Sequence, residues 1–193
     1  MVSLACGSSS LAAIRARTAA GLHGQLLEIG FGSGTNVPHY PVEVTRVLAV
    51  EPSATAWRMA GSRIGAASMP IEQIGLDGQS IPLDDASCDA ALCTFSLCTI
   101  PDPEAALAEV RRILRPGGRL HILEHGLAPD ARVAAFQHWF EPMERRIADG
   151  CHLTRDPLAL LRSAGFSPEE IEQKYGAGPK PWLYLTRASA VRP

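Results

Sequence analysis

The sequence lacks an excess of positive charge. Its 18 lysine and arginine residues are matched by 20 aspartate and glutamate residues, which gives a net charge of −2. Because sequence-independent binding to nucleic acid depends on a basic surface that neutralises phosphates, we expect no nucleic-acid partner. Hydrophobic residues make up 46% of the 193 residues. This share excludes a disordered chain and indicates a soluble globular protein.

The sequence also lacks a long hydrophobic run and a positively charged leader. No apolar segment approaches the roughly 18 residues that a membrane-spanning helix needs. The segment 1–10 carries no lysine or arginine, whereas a secretory signal begins with such a charge. We therefore expect no membrane span and a cytoplasmic protein. Residues 1–24 form a short lead to which no chemistry is assigned.

The cysteines lack the spacing of a disulfide framework or of a zinc knuckle. Their number, five, is odd, and a chain of this length forms a core without disulfides, so a reducing compartment is the simpler interpretation. Cys88, Cys93 and Cys98 recur at intervals of five residues, whereas paired zinc ligands are two to four residues apart. With Cys6 and Cys151, they are predicted to be reduced thiols, and no metal site is predicted.

Short apolar runs alternate with helical patterns along the chain. This alternation predicts an α/β fold in which a mostly parallel sheet is covered by helices on both faces. Segment 171–175 fits either a strand or a helical turn. The other predicted strands are 25–29, 44–50, 71–76, 88–95, 119–123 and 182–186, and the predicted helices are 11–20, 54–64, 132–147, one after Asp102 and one after Asp156.

The clearest helix signals follow Asp102. A side-chain acceptor at this position caps the helix, and Pro103 suits its first turn. We expect Arg115 and Pro116 to end the helix, with Gly117 and Gly118 turning the chain into the next strand.

Three glycines at alternate positions, Gly30, Gly32 and Gly34, follow the first predicted strand. Glycine lets the backbone turn tightly and approach a ligand without interference from a Cβ atom. A dinucleotide fingerprint would place its third glycine at position 35, where this sequence has Thr35, and a pyrophosphate ligand is therefore disfavoured. The loop favours a nucleotide-type ligand of another kind.

Acidic residues end the next two strands. Glu51 is placed where a carboxylate can accept both hydroxyls of a ribose. Asp77 is placed where a carboxylate can accept a hydrogen bond from an adenine amino group. Since the carboxyl ends of parallel strands lie at one edge of a sheet, the glycine loop and both acids predict an adenosine-containing cofactor.

In this order and spacing, the residues resemble the motifs of class I S-adenosylmethionine-dependent methyltransferases of the type-11 group. The resemblance extends from about residue 26 to residue 123. Two signatures, 93–98 and 149–155, resemble the branch whose animal members methylate small thiols. The segments that carry the main resemblance are 28–34, Glu51, Asp77 with 81–83, 85–89 and 112–118.

The resemblance implies a Rossmann-like, seven-stranded, mostly parallel sheet with an antiparallel last strand, in a single domain over 1–193. Residues 25–125 are the expected cofactor-binding half and 126–193 the expected substrate side. S-adenosylmethionine is the implied cofactor. Its predicted contacts are Glu28, Gly30, Gly32 and Gly34 in the first loop, Glu51 at the ribose, Asp77 and Gly78 at the adenine, and Thr94 near the methionine end.

Methyl transfer from a sulfonium is an in-line displacement with a neutral leaving group, so positioning of the acceptor does most of the work. A thiol, with a free pKa of about 8.5, is already partly ionised near neutral pH. Since no acid–base dyad is evident, a small thiol is the favoured acceptor. His125, after the fifth strand, and His152 are the candidates for deprotonating or orienting it.

Other readings of the same motifs stay open. Methylation of oxygen, nitrogen or carbon in a lipid, quinone or other metabolite uses the same cofactor. A module that binds the cofactor without turnover is a further alternative. An NAD-linked oxidoreductase is disfavoured by Thr35 and by the absence of a recognisable pair of tyrosine and lysine for hydride transfer.

Overall fold

Seven strands form one sheet in the computed structural model, which describes residues 9–193, with side chains from residue 11 onward. Their order across the sheet is β3-β2-β1-β4-β5-β7-β6. β1 to β5 are parallel, and β7 runs antiparallel to both of its neighbours. The predicted seven-stranded sheet with an antiparallel last strand is therefore confirmed. The strands are β1 (Gly24–Ile29), β2 (Val44–Val50), β3 (Ile71–Gly75), β4 (Cys88–Thr94), β5 (Leu114–His125), β6 (Ser167–Tyr175) and β7 (Tyr184–Val191).

Five α-helices surround the sheet within the described residues: α1 (Ser9–Ala19), α2 (Ala54–Gly65), α3 (Pro103–Ile113), α4 (Ala131–Ile147) and α5 (Pro157–Ser163). The predicted cap of α3 is confirmed, because the Asp102 side chain accepts a hydrogen bond from the backbone of Ala105. Within 9–193, no helix combines the length and apolar character needed to cross a membrane. Cys6 and residues 1–8 of the predicted lead lie outside the described residues.

The core has two layers because side chains alternate between the faces of each strand. In β1, the fully buried Leu26 belongs to the apolar cluster that includes Ala60 of α2. Its neighbour Leu27 packs with Leu107 of α3 and Leu161 of α5 on the other face. Helices therefore cover both faces, and the carboxyl ends of β1, β2, β4 and β5 lie at one edge of the sheet.

The predicted start of the fifth strand, at residue 119, is wrong. Helix α3 ends at Ile113 and the chain enters β5 directly at Leu114. Gly117 donates a backbone hydrogen bond to Arg192, and Arg192 donates one to Gly118, at 2.9 Å each. These bonds extend the ladder beyond β7. The predicted turn is kept as an irregularity within the strand, because Gly117 has a left-handed φ of +79° and the register with β4 shifts between Leu114 and Arg119.

The predicted last strand, 182–186, is also misplaced. A 3-10 turn spans Lys180–Trp182, and β7 continues from Tyr184 to Val191. The second half of β7 is rich in small residues such as Ala188 and Ala190, which give little apolar signal although both are buried. Segment 171–175 is part of strand β6, because pairing with β7 outweighs the local helix-capping signal.

Candidate functional site

The loop after β1 is built on glycines in the left-handed backbone region. Gly30, Gly32 and Gly34 have φ angles of +71°, +58° and +73°. A Cβ atom at Gly30 would lie 1.8 Å from Ser96 Oγ, in the loop after β4. Among the described residues, a Cβ at Gly32 would meet nothing closer than a backbone oxygen at 3.9 Å. The middle of the loop is therefore open to a ligand, whereas its start is tightly packed.

Glu51 lies against this loop at the end of β2. Its Oε2 atom accepts a hydrogen bond from the Gly32 backbone N–H at 2.6 Å, and its Oε1 atom accepts one from Ser53 N at 2.7 Å. The side chain is buried. Because each carboxylate oxygen has a second lone pair, Glu51 can keep both bonds and still accept hydroxyl groups of a ligand.

The turn after β3 brings Asp77 and Gly78 to the same edge. A Cβ at Gly78 would lie 3.2 Å from a side-chain carbon of Ile29, the last residue of β1. Asp77 is exposed, and its Oδ1 accepts hydrogen bonds from the side chain and the backbone of Gln79, at 3.0 and 2.9 Å. These bonds lower the pKa of Asp77. An ionised acceptor is thus available next to the glycine loop.

Glu28 and Thr94 lie in a buried hydrogen-bond network beneath the loop. Asn36 Nδ2 donates to Glu28 Oε1 at 2.7 Å and to Thr94 Oγ1 at 2.9 Å, and the Tyr40 hydroxyl donates to Glu28 Oε2. Arg15 of α1 donates to Thr94 Oγ1 at 3.0 Å and to Asn36 Oδ1 at 2.6 Å. Arg15, Asn36 and Tyr40 were missed by the sequence analysis, since no local pattern links them to Glu28.

Burial raises the pKa of Glu28 to about 7, although hydrogen bonds from Tyr40 and Asn36 and the charge of Arg15 act in the opposite direction. In the fold, Glu28 keeps a proton that it releases near pH 4.5 in the unfolded chain. The stabilisation that protonated Glu28 gives to the fold is therefore at its full value below pH 4.5 and is lost as the pH rises through 7.

We expect the stability of the wild type to fall, relative to Glu28→Gln, by roughly 2 kcal/mol between pH 5 and pH 7.5. Glutamine cannot ionise, so the variant lacks this component of the pH dependence. Urea unfolding of both proteins at both pH values measures the difference. The control is Glu43→Gln, at an exposed position, whose pH dependence of stability should equal that of the wild type. A difference between wild type and Glu28→Gln that does not vary with pH would contradict the assignment.

Three sulfur and nitrogen side chains converge beside the end of β5. His125 is the last residue of β5, Cys98 lies in the loop after β4, and Cys151 follows α4. His125 Nε2 is 3.1 Å from Cys151 Sγ. The two Sγ atoms and a His125 ring nitrogen all lie within 4.8 Å of one another. We call these three residues the Cys–His–Cys cluster.

The electrostatics of the cluster favour a thiolate paired with an imidazolium. A hydrogen bond with Cys98 lowers the pKa of Cys151, burial opposes this change, and His125 lowers it further. Burial lowers the pKa of His125, but the interactions with Cys151, Glu124 and Glu144 raise it overall. His125 Nδ1 is buried and has no hydrogen-bond partner among the described residues. The described residues therefore leave one ring nitrogen of the cluster unsatisfied.

His152, the second predicted catalytic histidine, is not a member of the cluster. Its Nδ1 atom lies 2.7 Å from Glu141 Oε1, and the Leu153 backbone donates to Glu141 Oε2 at 2.8 Å. The His152 backbone donates to the Cys98 carbonyl at 2.8 Å. Glu141 of α4 therefore anchors the segment that carries Cys151.

Two charged residues fix the loop after β4. The buried Glu124 accepts hydrogen bonds at Oε1 from the backbone of Ser96 at 2.8 Å and of Leu97 at 3.1 Å. Arg155 donates to the carbonyls of Leu97 and Ile100, the latter at 2.7 Å. Arg155 lies in the 149–155 signature and Glu124 directly follows the predicted fifth strand, but their role in positioning Cys98 is visible only in three dimensions.

A cavity of about 650 Å³ opens between α1 and the β6–β7 hairpin. Leu185, in its wall, is the register partner of His125 in the sheet. Trp182, also in its wall, packs against the apolar cluster that contains Cys98 and Cys151. The cavity therefore shares Trp182 with the surroundings of the Cys–His–Cys cluster, although none of the three cluster residues lines it. Its other apolar lining residues include Leu11, Ile14, Pro179 and Leu183.

Residues 27–122 match the family described as methyltransferase domain. The chain is 37% identical over 164 residues to human thiol S-methyltransferase TMT1B, covering 82% of this chain and 65% of that protein. It is 27% identical over 167 residues to phosphatidylethanolamine N-methyltransferase from Cereibacter sphaeroides, covering 80% of this chain and 81% of that protein. The chain thus spans less than two thirds of the length of the human relative.

The fold has a counterpart among solved structures. Geranyl diphosphate C-methyltransferase from Streptomyces coelicolor, solved with S-adenosyl-L-homocysteine, superposes with a TM-score of 0.69 at 15% identity, covering 96% of this chain and 78% of that one. A structural similarity at this low identity supports the fold alone, whereas the sequence similarities given above support the family. Together with the glycine loop and Glu51, they confirm the predicted relationship: the chain belongs to the class I S-adenosylmethionine-dependent methyltransferases.

Proposed function

We propose that this protein transfers a methyl group from S-adenosylmethionine to the sulfur atom of a small thiol. The observation that carries the proposal is the position of His125. It lies at the carboxyl end of β5, on the same sheet edge as Glu51, with Nδ1 unpartnered among the described residues. The relationship to thiol S-methyltransferase TMT1B supports a thiol as the acceptor.

The loop after β1 and the ends of β2 and β3 fit an adenosyl cofactor. The turn at Gly32 leaves room for a ligand, Glu51 has lone pairs for two hydroxyl groups, and Asp77 offers an acceptor nearby. When bound, S-adenosylmethionine supplies a methyl group on a positively charged sulfur that departs as a neutral thioether. The buried network of Glu28 and Thr94 supports the loop from below and assigns these two residues an indirect role.

The acceptor side is assigned to His125 and the adjoining cavity. In this proposal His125 donates a hydrogen bond to the acceptor, while the apolar wall containing Trp182 and Leu185 holds its carbon portion and excludes water. A fixed near-attack arrangement of this kind supplies most of the rate enhancement. His152 is a positioning residue, since it acts through Glu141 on the segment that carries Cys151.

We expect His125→Ala to lower kcat for thiol methylation at least about tenfold, because one charge-assisted hydrogen bond contributes about 1.5–3 kcal/mol. Affinity for S-adenosylhomocysteine, measured by calorimetry, should stay within about twofold, since His125 lies outside the glycine loop. The matched control is His138→Ala, at an exposed position of α4. Equal rates for all three proteins would remove His125 from the site.

An acceptor panel tests the reaction itself. The full chain is incubated with S-adenosylmethionine carrying a radiolabelled methyl group and with small alkyl and aryl thiols, phenols, a reduced quinone and ethanolamine lipids. Preferential labelling of thiols is the expected result. The apolar cavity of about 650 Å³ favours one second candidate, an apolar quinone or lipid acceptor. Labelling of those compounds alone would replace the thiol proposal.

We also infer a cytoplasmic location, a single domain over residues 1–193 and no nucleic-acid partner. No disulfide joins the four described cysteines, Cys88, Cys93, Cys98 and Cys151, which suits a reducing compartment. The net charge of −2 provides no basic field for a phosphate backbone. Within the domain, 25–125 is assigned mainly to the cofactor, and 126–193 together with His125 to the acceptor side.

A further inference from the structure

The Cys–His–Cys cluster has the composition of a site for a soft metal ion. We propose that Cys98, His125 and Cys151 bind a divalent cation of the Zn²⁺ type, leaving one coordination position open to the acceptor thiol. Thiolate sulfur and imidazole nitrogen are the preferred ligands of Zn²⁺. Two thiolates and a neutral imidazole also balance the charge of the ion, so a neutral assembly can be buried.

The separations of the ligand atoms suit one ion. Zinc–sulfur bonds of about 2.3 Å and zinc–nitrogen bonds of about 2.0 Å place tetrahedral ligand atoms about 3.5 Å apart. In the structure, Cys151 Sγ and His125 Nε2 are 3.1 Å apart, and all three ligand atoms lie within 4.8 Å of one another. The observed separations are therefore close to the required ones.

The backbone around the cluster is already fixed, as a metal site requires. Glu124 holds the loop that carries Cys98 through the backbone of Ser96 and Leu97. The His152 backbone joins the Cys151 segment to the Cys98 carbonyl at 2.8 Å. An apolar shell surrounds the two cysteines and limits access of water. Its members are Leu153, Phe140, Ala148 and Trp182.

Three protein ligands, rather than four, are typical of zinc sites that keep a position for water or substrate. The cluster adjoins the cavity assigned to the acceptor through Trp182. When a thiol R–SH takes the open position, its sulfur would bind the ion, which then replaces the hydrogen bond from His125 in orienting the acceptor. The thiol proton would pass to solvent, and the sulfur would keep a lone pair for attack. This second part of the inference rests on the proposed function, whereas metal binding itself does not.

Metal content is the first test. The full chain, purified with Zn²⁺ and dialysed, is expected to contain about one zinc ion per molecule by elemental analysis. Cys98→Ser and Cys151→Ser should each lower zinc affinity about tenfold or more. Cys88→Ser, at another buried cysteine, is the matched control and should keep the zinc. Circular dichroism establishes that each variant is folded.

Cobalt substitution reports the ligands directly. The Co²⁺ protein should show sulfur-to-cobalt charge-transfer absorption that is lost in Cys98→Ser and Cys151→Ser, and addition of 2-mercaptoethanol should shift its visible bands. Three results would overturn the metal site. They are a wild-type protein that contains no zinc, a loss of zinc in Cys88→Ser equal to that in the other two variants, and a disulfide between Cys98 and Cys151 instead of a bound ion. Unchanged cobalt bands with 2-mercaptoethanol overturn the open position.

The outcomes separate this inference from the proposed function. Metal content is measured without methyl donor or acceptor, so its failure leaves thiol methylation untouched. Thiol methylation that persists at full rate after chelation removes the metal refutes activation by the ion while the proposed function stands. A zinc-loaded protein that methylates no thiol in the panel refutes the proposed function while the metal site stands.

Discussion

Glu51→Ala will weaken binding of S-adenosylhomocysteine by about 100-fold or more, as measured by calorimetric titration. The substitution removes the acceptor for the backbone N–H of Gly32 and of Ser53, and with it the predicted acceptor for the ribose hydroxyls. Hydrogen bonds to a charged group contribute about 1.5–3 kcal/mol each. Loss of two such bonds to the ligand corresponds to at least two factors of ten in affinity.

Two variants make this result specific. Glu72→Ala removes an exposed carboxylate from β3, on the neighbouring strand, where it pairs with Arg46 at 2.5 Å, and it should leave the affinity unchanged. Glu51→Gln keeps one oxygen acceptor and should fall between the wild type and Glu51→Ala. Wild-type affinity in Glu51→Ala, or equal losses in Glu51→Ala and Glu72→Ala, would remove Glu51 from the cofactor site.

Gly30→Ala will lower the free energy of unfolding by about 2–5 kcal/mol, which is a large part of the stability of a small domain. The left-handed backbone at φ +71° costs an alanine about 1–2 kcal/mol. The added Cβ would also lie 1.8 Å from Ser96 Oγ and 2.6 Å from Ser96 Cβ. Relief of such a clash costs a further 1–3 kcal/mol or so. Urea unfolding measures the change.

Ser96 cannot move aside without cost, because its backbone N–H is held by the buried Glu124 at 2.8 Å and its hydroxyl donates to the Thr94 carbonyl at 3.1 Å. Gly61→Ala is the matched control. A Cβ there meets no described atom within 4 Å, and alanine in a helix is favoured over glycine by about 0.5–1 kcal/mol. Equal effects at the two positions would show that the loop after β1 is not packed as described.

Several secondary-structure elements were predictable because residues adjacent in the chain determine them. Strand β2 follows from a run rich in β-formers, and the start of α3 follows from Asp102 and Pro103. The open turn at Gly32 follows from the alternate glycines after β1. By contrast, the start of β5 was missed, because backbone pairing with Arg192, after β7, holds Gly117 and Gly118 in the sheet although Gly117 has a left-handed φ of +79°.

The sequence by itself determined the family, the glycine loop and the placement of Glu51 at a strand end, since these depend on spacing within short segments. Only the tertiary structure brought the side chain of Cys98 close to that of Cys151, which lies 53 positions later in the chain, and placed His125 next to both. It also buried Glu28 with Asn36 and Tyr40. The burial of a side chain and its distance from other charges depend on residues that are neighbours in space. These two properties decide whether a group such as Glu28 is protonated and whether side chains such as Cys98 and Cys151 can bind one ion.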